Sequence, residues 1–299
     1  MKIRPALLLL FSLVFVHCKD APKGTNSDQT TDAISDSAAW AQQEELSSTN
    51  GTWVIDSLSV DDIVRIDNNP KEQGMSISVF LAYPVSSPEG ANLPAIQKTI
   101  AGIFDYSKKA SSPKEAFDNT VASYRKEAQD YAQEWEKEES HHIDFSTFEQ
   151  NVRLSVEHIY SRLMTVSTGY SSFLGGAHGS YFIRYSNIEI SNGKLLTEET
   201  LFKKGYEKKL ASLIQNEISR RNNLPDQDEH LSLLIDLEKV QSSSNFYFDK
   251  SGIVYVYNQY EITPYVQGVV EINIPYNQFM PLINEAYLPL INSVEKENA

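Results

Sequence analysis

Residues 173–181 read Phe173-Leu174-Gly175-Gly176-Ala177-His178-Gly179-Ser180-Tyr181, so that three glycines and a histidine stand between two strand-like runs. Glycines at such a position are typical of a backbone that turns sharply or lies close to another group. Two strand-like runs that are consecutive in the chain and joined by a short connection favour antiparallel pairing. The stretch therefore predicts an antiparallel meander centred on this connection.

Outward from this connection, alternating and helical patterns of apolar residues follow one another along the chain. The strand-like runs lie at about 52–60, 76–83, 148–159, 162–174, 180–190, 245–248, 252–257 and 269–274. The helical patterns lie at about 93–104, 113–138, 206–221, 231–240 and 277–287. Together they predict an α+β fold, with antiparallel sheets, helices packed on one face, and two subdomains.

The pattern at 113–138 is the strongest helical signal. Ser112 has the side chain of an N-cap residue, and Pro113 suits the first helical turn. Aromatic residues recur along one face at three- and four-residue steps. We predict that this stripe belongs to the core and is not a ligand site; its members are Phe117, Tyr124, Tyr131 and Trp135.

The first eighteen residues have the pattern of an export signal. Lys2 and Arg4 precede an apolar run at 6–16, which is too short to span a bilayer, and Cys18 follows it. We predict that residues 1–18 are a lipoprotein signal peptide and that Cys18 is lipidated. This lipid would anchor the protein to a membrane of the bacterial cell envelope, facing the periplasm or the exterior. Ordinary secretion and a buried structural thiol are the alternatives.

Composition divides the rest of the chain. Residues 19–51 are rich in Ser, Thr, Asp, Gln, Asn and Ala, which predicts a flexible tether. The remaining body is long enough for one large domain or two small ones. We predict an N-terminal α+β subdomain at 52–146 and a C-terminal domain at 147–290. Cys18 is the only cysteine, so the body cannot hold an intramolecular disulfide.

The charge balance is acidic. The chain has 26 Lys and Arg against 40 Asp and Glu, a formal net charge of −14. This balance argues against binding of nucleic acid, which requires clustered basic residues to neutralise phosphates. It favours a basic protein or peptide as partner, since such a partner would be steered toward an acidic surface. A solvated surface that only keeps the protein soluble is the alternative.

Three segments resemble the C-terminal domain of RsiV-like proteins, a domain of unknown function numbered 3298. They are the run 175–181, the stretch Asn192-Gly193-Lys194-Leu195-Leu196-Thr197 with Leu201-Phe202, and the run 260–268 ending in Ile274-Pro275-Tyr276. The half before them resembles the small domain that often precedes this one, as in PdaC-type deacetylases. The best understood family member is an anti-sigma factor that senses lysozyme outside the cell.

The resemblance implies an extracellular binding role. An anti-sigma function is not expected, because no cytoplasmic segment precedes the apolar run and no membrane-spanning helix is evident. Deacetylase chemistry is not expected either, because no deacetylase domain follows Tyr287. We therefore expect a non-catalytic binding module for a protein such as lysozyme, or for cell-wall glycan.

The residues themselves contain little catalytic pattern. His178 has no HExxH partner, no GxSxG nucleophile and no thiol to activate. His141 and His142 are adjacent, so on a helix their side chains point apart and a metal is not expected. Glu157 and His158 are neighbours in a strand-like run and face opposite sides of the sheet. We expect no metal and no cofactor.

A second group of candidates lies in the Pro-containing segment near residue 264. Tyr260, Glu261 and Tyr265 would place two phenols and a carboxylate near a groove, which suits sugar rings or a basic side chain. Their alternative role is structural, with the tyrosines packed over a sheet and Glu261 satisfying backbone donors. The full set of ligand-binding candidates is Gly175, Gly176, His178, Tyr181, Tyr260, Glu261 and Tyr265. The rival function is a hydrolase that uses His178 and a carboxylate such as Glu261.

Overall fold

The computed structural model describes residues 47–48, 51–65, 73–105, 109–137, 144–226 and 230–298. The predicted signal peptide, Cys18 and nearly all of the predicted tether lie outside these residues. The same is true of His141 and His142. Within the described ranges, no helix combines the length and the apolar character needed to cross a bilayer.

The described residues form three antiparallel or mixed sheets and six α-helices. The strands are β1 (Ser47–Ser48), β2 (Gly51–Thr52), β3 (Val54–Arg65), β4 (Gly74–Ser86), β5 (Glu149–Ile159), β6 (Leu163–Phe173), β7 (Ser180–Glu189), β8 (Leu195–Leu196), β9 (Phe246–Phe248), β10 (Gly252–Tyr257) and β11 (Val270–Pro275). The helices are α1 (Leu93–Phe104), α2 (Pro113–Glu136), α3 (Glu198–Leu201), α4 (Glu207–Asn222), α5 (Tyr276–Phe279) and α6 (Leu288–Asn298). The α+β class predicted from the sequence is confirmed.

The largest sheet has six strands in the order β3-β4-β5-β6-β7-β8. Strands β5, β6 and β7 form the antiparallel meander that the glycine stretch predicts. One pair departs from the antiparallel pattern, because β4 and β5 run parallel. Parallel neighbours need a long crossover connection, and α1 and α2 supply it between these two strands. The sheet is therefore mixed.

The parallel pair also crosses the boundary expected between residues 146 and 147. Register pairs from Ser76 with Glu149 to Leu81 with Leu154 join β4 to β5 within one sheet. The polar end of α2 resembles a linker in sequence, but it belongs to the crossover that returns the chain to the same sheet. The two expected subdomains therefore share the six-stranded sheet and are not separated at this point.

Helices α1 and α2 pack on one face of the six-stranded sheet. In β4, Ile77, Val79 and Leu81 are buried beneath the helices, whereas Ser78 and Phe80 alternate with them and lie on the opposite face. The helices contribute the other half of this core; its buried members include Ile96, Ile100, Phe104, Phe117 and Val121. Each such side chain contributes about 1.5–3 kcal/mol when fully buried.

The aromatic stripe of α2 has the core position that the sequence predicts. Phe117 is buried, and Tyr131 and Trp135 are partly buried against a neighbouring apolar cluster around Phe145. The helix begins as expected, since the Ser112 side chain accepts a hydrogen bond from the amide of Glu115. The stripe therefore stabilises the helix against the sheet and is used for packing.

A second core lies on the three-stranded sheet, whose strand order is β11-β10-β9. On β10, Ile253, Tyr255 and Tyr257 are buried in a cluster with side chains of α4, α5 and α6. Val254 and Val256 alternate with them and pack instead against Ile183 of β7 in the large sheet. Strand β10 is therefore buried on both faces, which explains its uninterrupted apolar sequence.

Two buried asparagines connect the sheets through the backbone of β7. The side-chain oxygen of Asn258 accepts from the amide of Ile183 at 2.8 Å, and the oxygen of Asn245 accepts from the amide of Tyr185 at 2.7 Å. Both asparagines also donate from their side-chain nitrogens to the Ile183 carbonyl, at 2.9 and 3.1 Å. At this edge of β7, none of the described strands pairs with these backbone groups. The two asparagine side chains therefore supply the hydrogen bonds that the groups need.

Two helices predicted from the sequence take other forms. The run at 231–240 contains only a 3-10 turn at Leu237–Lys239. Its backbone donors are taken by tertiary partners, since the amide of Leu231 bonds to Asn222 and that of Leu234 bonds to Ile262. The helix predicted at 277–287 breaks after α5 into two 3-10 turns, the first of which contains Pro281.

Replacing Asn258 by Ala is expected to lower the free energy of unfolding by about 2 kcal/mol, because a buried amide and carbonyl of Ile183 lose partners. Urea denaturation of the purified protein measures this value. Asn292→Ala, at an exposed position of α6, is the matched control and is expected to change stability by less than about 0.5 kcal/mol. Equal effects of the two substitutions would contradict the bridging role.

Candidate functional site

The glycine stretch forms the connection between β6 and β7. Gly175 has φ 85° and Gly176 has φ 106°, values in the left-handed region that side chains disfavour. A Cβ at Gly179 would lie 3.0 Å from the carbonyl oxygen of Ser172, which faces it across the β6–β7 pair. These three glycines are therefore required by the turn and by the close strand approach. Gly175 and Gly176 shape the connection that presents His178.

The segment after β10 forms a second, internally bonded loop at residues 258–268. The amide of Tyr260 donates to Thr263 and the amide of Glu261 donates to Asn258, while a 3-10 turn spans Tyr265–Gln267. The carboxylate of Glu261 accepts from the amide of Asn258 at 2.9 Å. Glu261 thus holds the start of the loop, which is the structural role considered for it from the sequence.

The two loops bring three of the candidates together. The rings of His178 and Tyr265 are stacked, with centroids 4.0 Å apart and planes inclined by 25°. The Tyr260 hydroxyl lies 3.4 Å from Nε2 of His178, and the Tyr260 ring centroid lies 6.0 Å from that of Tyr265. His178, Tyr260 and Tyr265 are thus neighbours, although they come from segments about eighty residues apart.

The hydrogen bonds of His178 define its tautomer. Nδ1 lies 2.8 Å from the carbonyl oxygen of Gly179, which only accepts, so Nδ1 carries the proton. In the neutral ring, Nε2 then accepts from the hydroxyl of Tyr260. Both ring nitrogens are therefore engaged, and among the described residues His178 has no direct hydrogen bond to Glu261. The acid–base pair considered for a hydrolase is not assembled by direct contact.

Much of this surface is apolar and open to solvent. Tyr260 is 53% exposed and Val266, next to Tyr265, is 88% exposed. The amide of Leu234 bonds to the carbonyl of Ile262, which places the 51% exposed Leu234 beside the same loop. Large exposed apolar groups that lie together are typical of binding surfaces. We call His178, Tyr260, Tyr265 and Val266 the aromatic loop surface.

Tyr260 has an unusual backbone. Its φ of 66° makes it one of two non-glycine residues with positive φ among those described. A bulky side chain in this region costs about 1–3 kcal/mol and is often found where a side chain is needed for function. Its exposed ring contributes little burial to offset that cost. This combination suits a residue placed for contact with another molecule.

Tyr181, the remaining candidate, lies elsewhere. It is partly buried with Tyr185 and Tyr247 against Ile183, in the apolar cluster between the large and small sheets. Burial, and secondarily the charge of Glu157, raises the pKa of Tyr181. The structure therefore divides the predicted candidates into the aromatic loop surface and a separate tyrosine cluster.

The sequence reasoning missed most of this tyrosine cluster. Tyr185 and Tyr247 have ring centroids 4.5 Å apart, and burial is the first cause that raises the pKa of each hydroxyl. The charge of Glu271 is the second cause for both. Alternation along β7 places Tyr181 and Tyr185 on one face, which is the only sequence signal that pointed to the group.

A buried carboxylate was also missed. Glu198, at the start of α3, is 4% exposed and accepts hydrogen bonds from the hydroxyls of Ser242, Ser244 and Tyr206, at 2.7, 3.2 and 3.2 Å. Ser244 has φ 55°. A buried charge of this kind needs such donors to be tolerated. Every hydrogen bond described for the Glu198 carboxylate comes from a hydroxyl group. The bonds from Ser242 and Ser244 hold α3 against the segment before β9.

Nothing in the described ranges groups three or more metal-ligating His, Cys, Asp or Glu side chains. The predicted metal-free character of the site remains an expectation for the chain as a whole. Asp144, two residues after His142 in the sequence, caps a 3-10 turn by accepting from the amide and hydroxyl of Ser146.

We expect Tyr260→Asn to raise the free energy of unfolding by about 0.5–1 kcal/mol, since Asn tolerates positive φ better than Tyr. Urea denaturation is the measurement. Tyr265→Asn provides the comparison, because Tyr265 is half-buried and has no positive φ, so its replacement should not stabilise. Destabilisation by Tyr260→Asn as large as by Tyr265→Asn would show that the backbone of Tyr260 stores no strain.

Two protein families match this chain. Residues 71–181 match the family described as deacetylase PdaC, and residues 199–277 match the family described as a protein of unknown function, DUF3298. The first match includes β5, β6 and the glycine stretch, which the sequence resemblance assigns to the C-terminal domain. No curated protein matched the chain.

Solved structures show a similar fold. A DUF3298 family member from Bacteroides fragilis is 23% identical, with a TM-score of 0.71, over 83% of this chain and 99% of the other. A DUF3298 family protein from Pseudomonas aeruginosa is 15% identical, with a TM-score of 0.55, over 79% of this chain and 96% of the other. The chain therefore contains a region that matches the PdaC family, followed by a region that matches DUF3298, and its fold is similar to that of DUF3298 family proteins.

Proposed function

We propose that this protein is an exported, lipid-anchored component of the cell envelope that binds another molecule and does not catalyse a reaction. The ligand is a protein such as lysozyme, or a cell-wall glycan. The aromatic loop surface is the observation that carries the proposal. It gathers the exposed rings of His178 and Tyr260 and the half-buried ring of Tyr265 from two separate loops.

The chemistry of the surface supports this choice of ligands. Exposed tyrosine faces stack on sugar rings and attract cations, and their hydroxyls form hydrogen bonds at the same time. The two loops are held by internal hydrogen bonds, as the Tyr260–Thr263 and Glu261–Asn258 contacts illustrate. A surface that is already ordered loses less conformational entropy when it binds. The acidic net charge of −14 favours the basic protein.

Sequence features support the cellular location. Lys2, Arg4, the apolar run and Cys18 have the order of a lipoprotein signal. The predicted tether at residues 19–51 would extend about 100 Å when stretched, so the body would reach ligands away from the membrane. Lipidation at Cys18 and a position facing the periplasm or the exterior are parts of the proposal.

The proposal that the protein does not catalyse a reaction is based on the contacts of His178 and Glu261. His178 uses both ring nitrogens in contacts with Gly179 and Tyr260, and Glu261 binds a backbone amide of its own loop. A general base must reach the proton that it abstracts. These contacts engage both groups within the protein, which supports a binding role. The deacetylase name belongs to the PdaC family, whose match to this chain covers residues 71–181.

Binding is tested by calorimetric titration of the purified protein with lysozyme and with soluble peptidoglycan fragments at moderate salt. Tyr260→Ala is expected to weaken binding at least tenfold, because an exposed ring at the centre of the surface is lost. Leu195→Ala is the matched control: Leu195 is 42% exposed on β8, at the opposite end of β7 from His178. It should change affinity less than twofold.

Absence of binding to both ligands would overturn the two named partners. Equal loss of affinity in the two variants would remove the aromatic loop surface from the interface. Release of hydrolysed product from the peptidoglycan fragments, abolished by His178→Ala, would favour the hydrolase in place of the binding module.

A further inference from the structure

The tyrosine cluster lies between the open face of the six-stranded sheet and the three-stranded sheet. Tyr181 and Tyr185 come from β7 and Tyr247 comes from β9. All three rings are partly buried, since they rest on the apolar cluster of Ile183, Val254 and Val256. The rings are thus held by packing while part of each surface remains open to solvent.

Two carboxylates flank these rings. Glu271 of β11 lies opposite Val256 in the β10–β11 register, so its side chain is on the same face as Val256. Its charge raises the pKa of both Tyr185 and Tyr247 after the effect of burial. Glu157 lies on β5, and its charge acts on Tyr181 and Tyr185 in the same way. Although the Glu271 side chain is exposed at the surface, partial desolvation by its neighbours raises its pKa, and its interaction with the Tyr247 hydroxyl opposes that rise.

Neither carboxylate has an ion-pair partner within 4.0 Å among the described residues. Glu157 accepts a hydrogen bond from the hydroxyl of Ser167. Two basic groups interact with Glu157. The Arg153 guanidinium lies 3.8 Å from the Phe80 ring centroid and donates to Ser155, and the His158 ring is stacked with Tyr247 at a centroid distance of 6.2 Å. The cluster therefore presents aromatic faces beside two carboxylates, and the single guanidinium of Arg153 offsets only part of their negative charge.

We propose that this cluster binds the side-chain cation of a basic polypeptide, a lysine or an arginine. Aromatic faces attract a cation through their quadrupoles, and partial desolvation strengthens this attraction. Two flanking carboxylates add charge pairing. The rings form the surface of the site, and the carboxylates make it favour a positively charged ligand. We call Tyr181, Tyr185, Tyr247, Glu157 and Glu271 the cation pocket.

The inference rests on the proposed function only in taking a basic protein as the natural ligand. His178 and Tyr181 are three residues apart, so they lie at most about 10 Å from each other along the chain. A polypeptide that covers the aromatic loop surface is therefore long enough to place a basic side chain in the cation pocket. The loop surface would supply apolar contact area, and the pocket would select for positive charge.

The probe is the peptide trilysine, titrated by calorimetry into the intact protein, with its fully side-chain-acetylated form as the neutral counterpart. Trilysine is expected to bind saturably, and the acetylated peptide is expected to bind at least tenfold more weakly. Glu271→Gln preserves shape and should weaken trilysine binding at least fivefold. Glu149→Gln, an exposed glutamate on β5 about 25 Å from Glu157, makes the same change in net charge and should have less than a twofold effect.

Ring and hydroxyl contributions are separated at Tyr247. Tyr247→Phe keeps the face and should change affinity less than twofold, whereas Tyr247→Leu should match the loss in Glu271→Gln. Thermal unfolding checks that each variant is folded, and the isosteric glutamine variant keeps the test valid if the leucine variant unfolds.

Three results would overturn the inference: no saturable trilysine binding, equal binding of the acetylated peptide, or equal losses in Glu271→Gln and Glu149→Gln. The last would mean that net charge alone attracts the peptide. Trilysine does not depend on the identity of the natural partner. Failure here with retained, Tyr260-dependent binding of lysozyme or glycan would therefore leave the proposed function standing.

Discussion

The structure depends on how the backbone of β7 is satisfied. This strand pairs with β6 along its whole length, but with β8 only at Asn187 and Ile188. The amides of Ile183 and Tyr185 would otherwise be left without partners beside a buried apolar cluster. The side-chain oxygens of Asn245 and Asn258 accept hydrogen bonds from these amides, and both asparagines are almost fully buried. Because unsatisfied buried amides cost about 1–3 kcal/mol each, these contacts fix where the three-stranded sheet docks.

The same joint positions the candidate sites. Asn258 directly follows β10 and begins the loop that carries Tyr260 and Tyr265. Strand β7 begins two residues after His178, so the bonds of Asn258 to Ile183 also set the distance between the two loops. On the other side of the joint, Tyr185 and Tyr247 meet because Asn245 bonds to Tyr185 immediately before β9. The same contacts that pack the two sheets together therefore also assemble the aromatic loop surface and the tyrosine cluster.

Because the sites depend on tertiary contacts, only the locally determined features could be predicted from the sequence. The meander of β5, β6 and β7 was predictable because the glycine stretch and the alternating runs act locally. The parallel pairing of β4 with β5 was not, since it joins segments separated by two helices and no local pattern encodes it. The run at 231–240 has helical spacing, yet Asn222 and Ile262 take the amides of Leu231 and Leu234. For the sites, residue type suggested His178 and Tyr265, but only the fold stacks them. Glu198 and Tyr247 carry no local signal at all.

The polar and strained residues discussed above fall into two groups: those that are buried and hydrogen-bonded within the protein, and those that are exposed. Asn245, Asn258 and Glu198 are buried, and every contact described for their side chains is within the protein, so folding accounts for them. Tyr260 adopts a positive φ with an exposed ring, and Val266 is exposed beside it. Folding gains little from either position, since an exposed ring buries little area and positive φ opposes it. A second molecule that covers these side chains would supply the missing burial. That difference, and not the presence of a histidine, is the physical reason to place recognition at the aromatic loop surface.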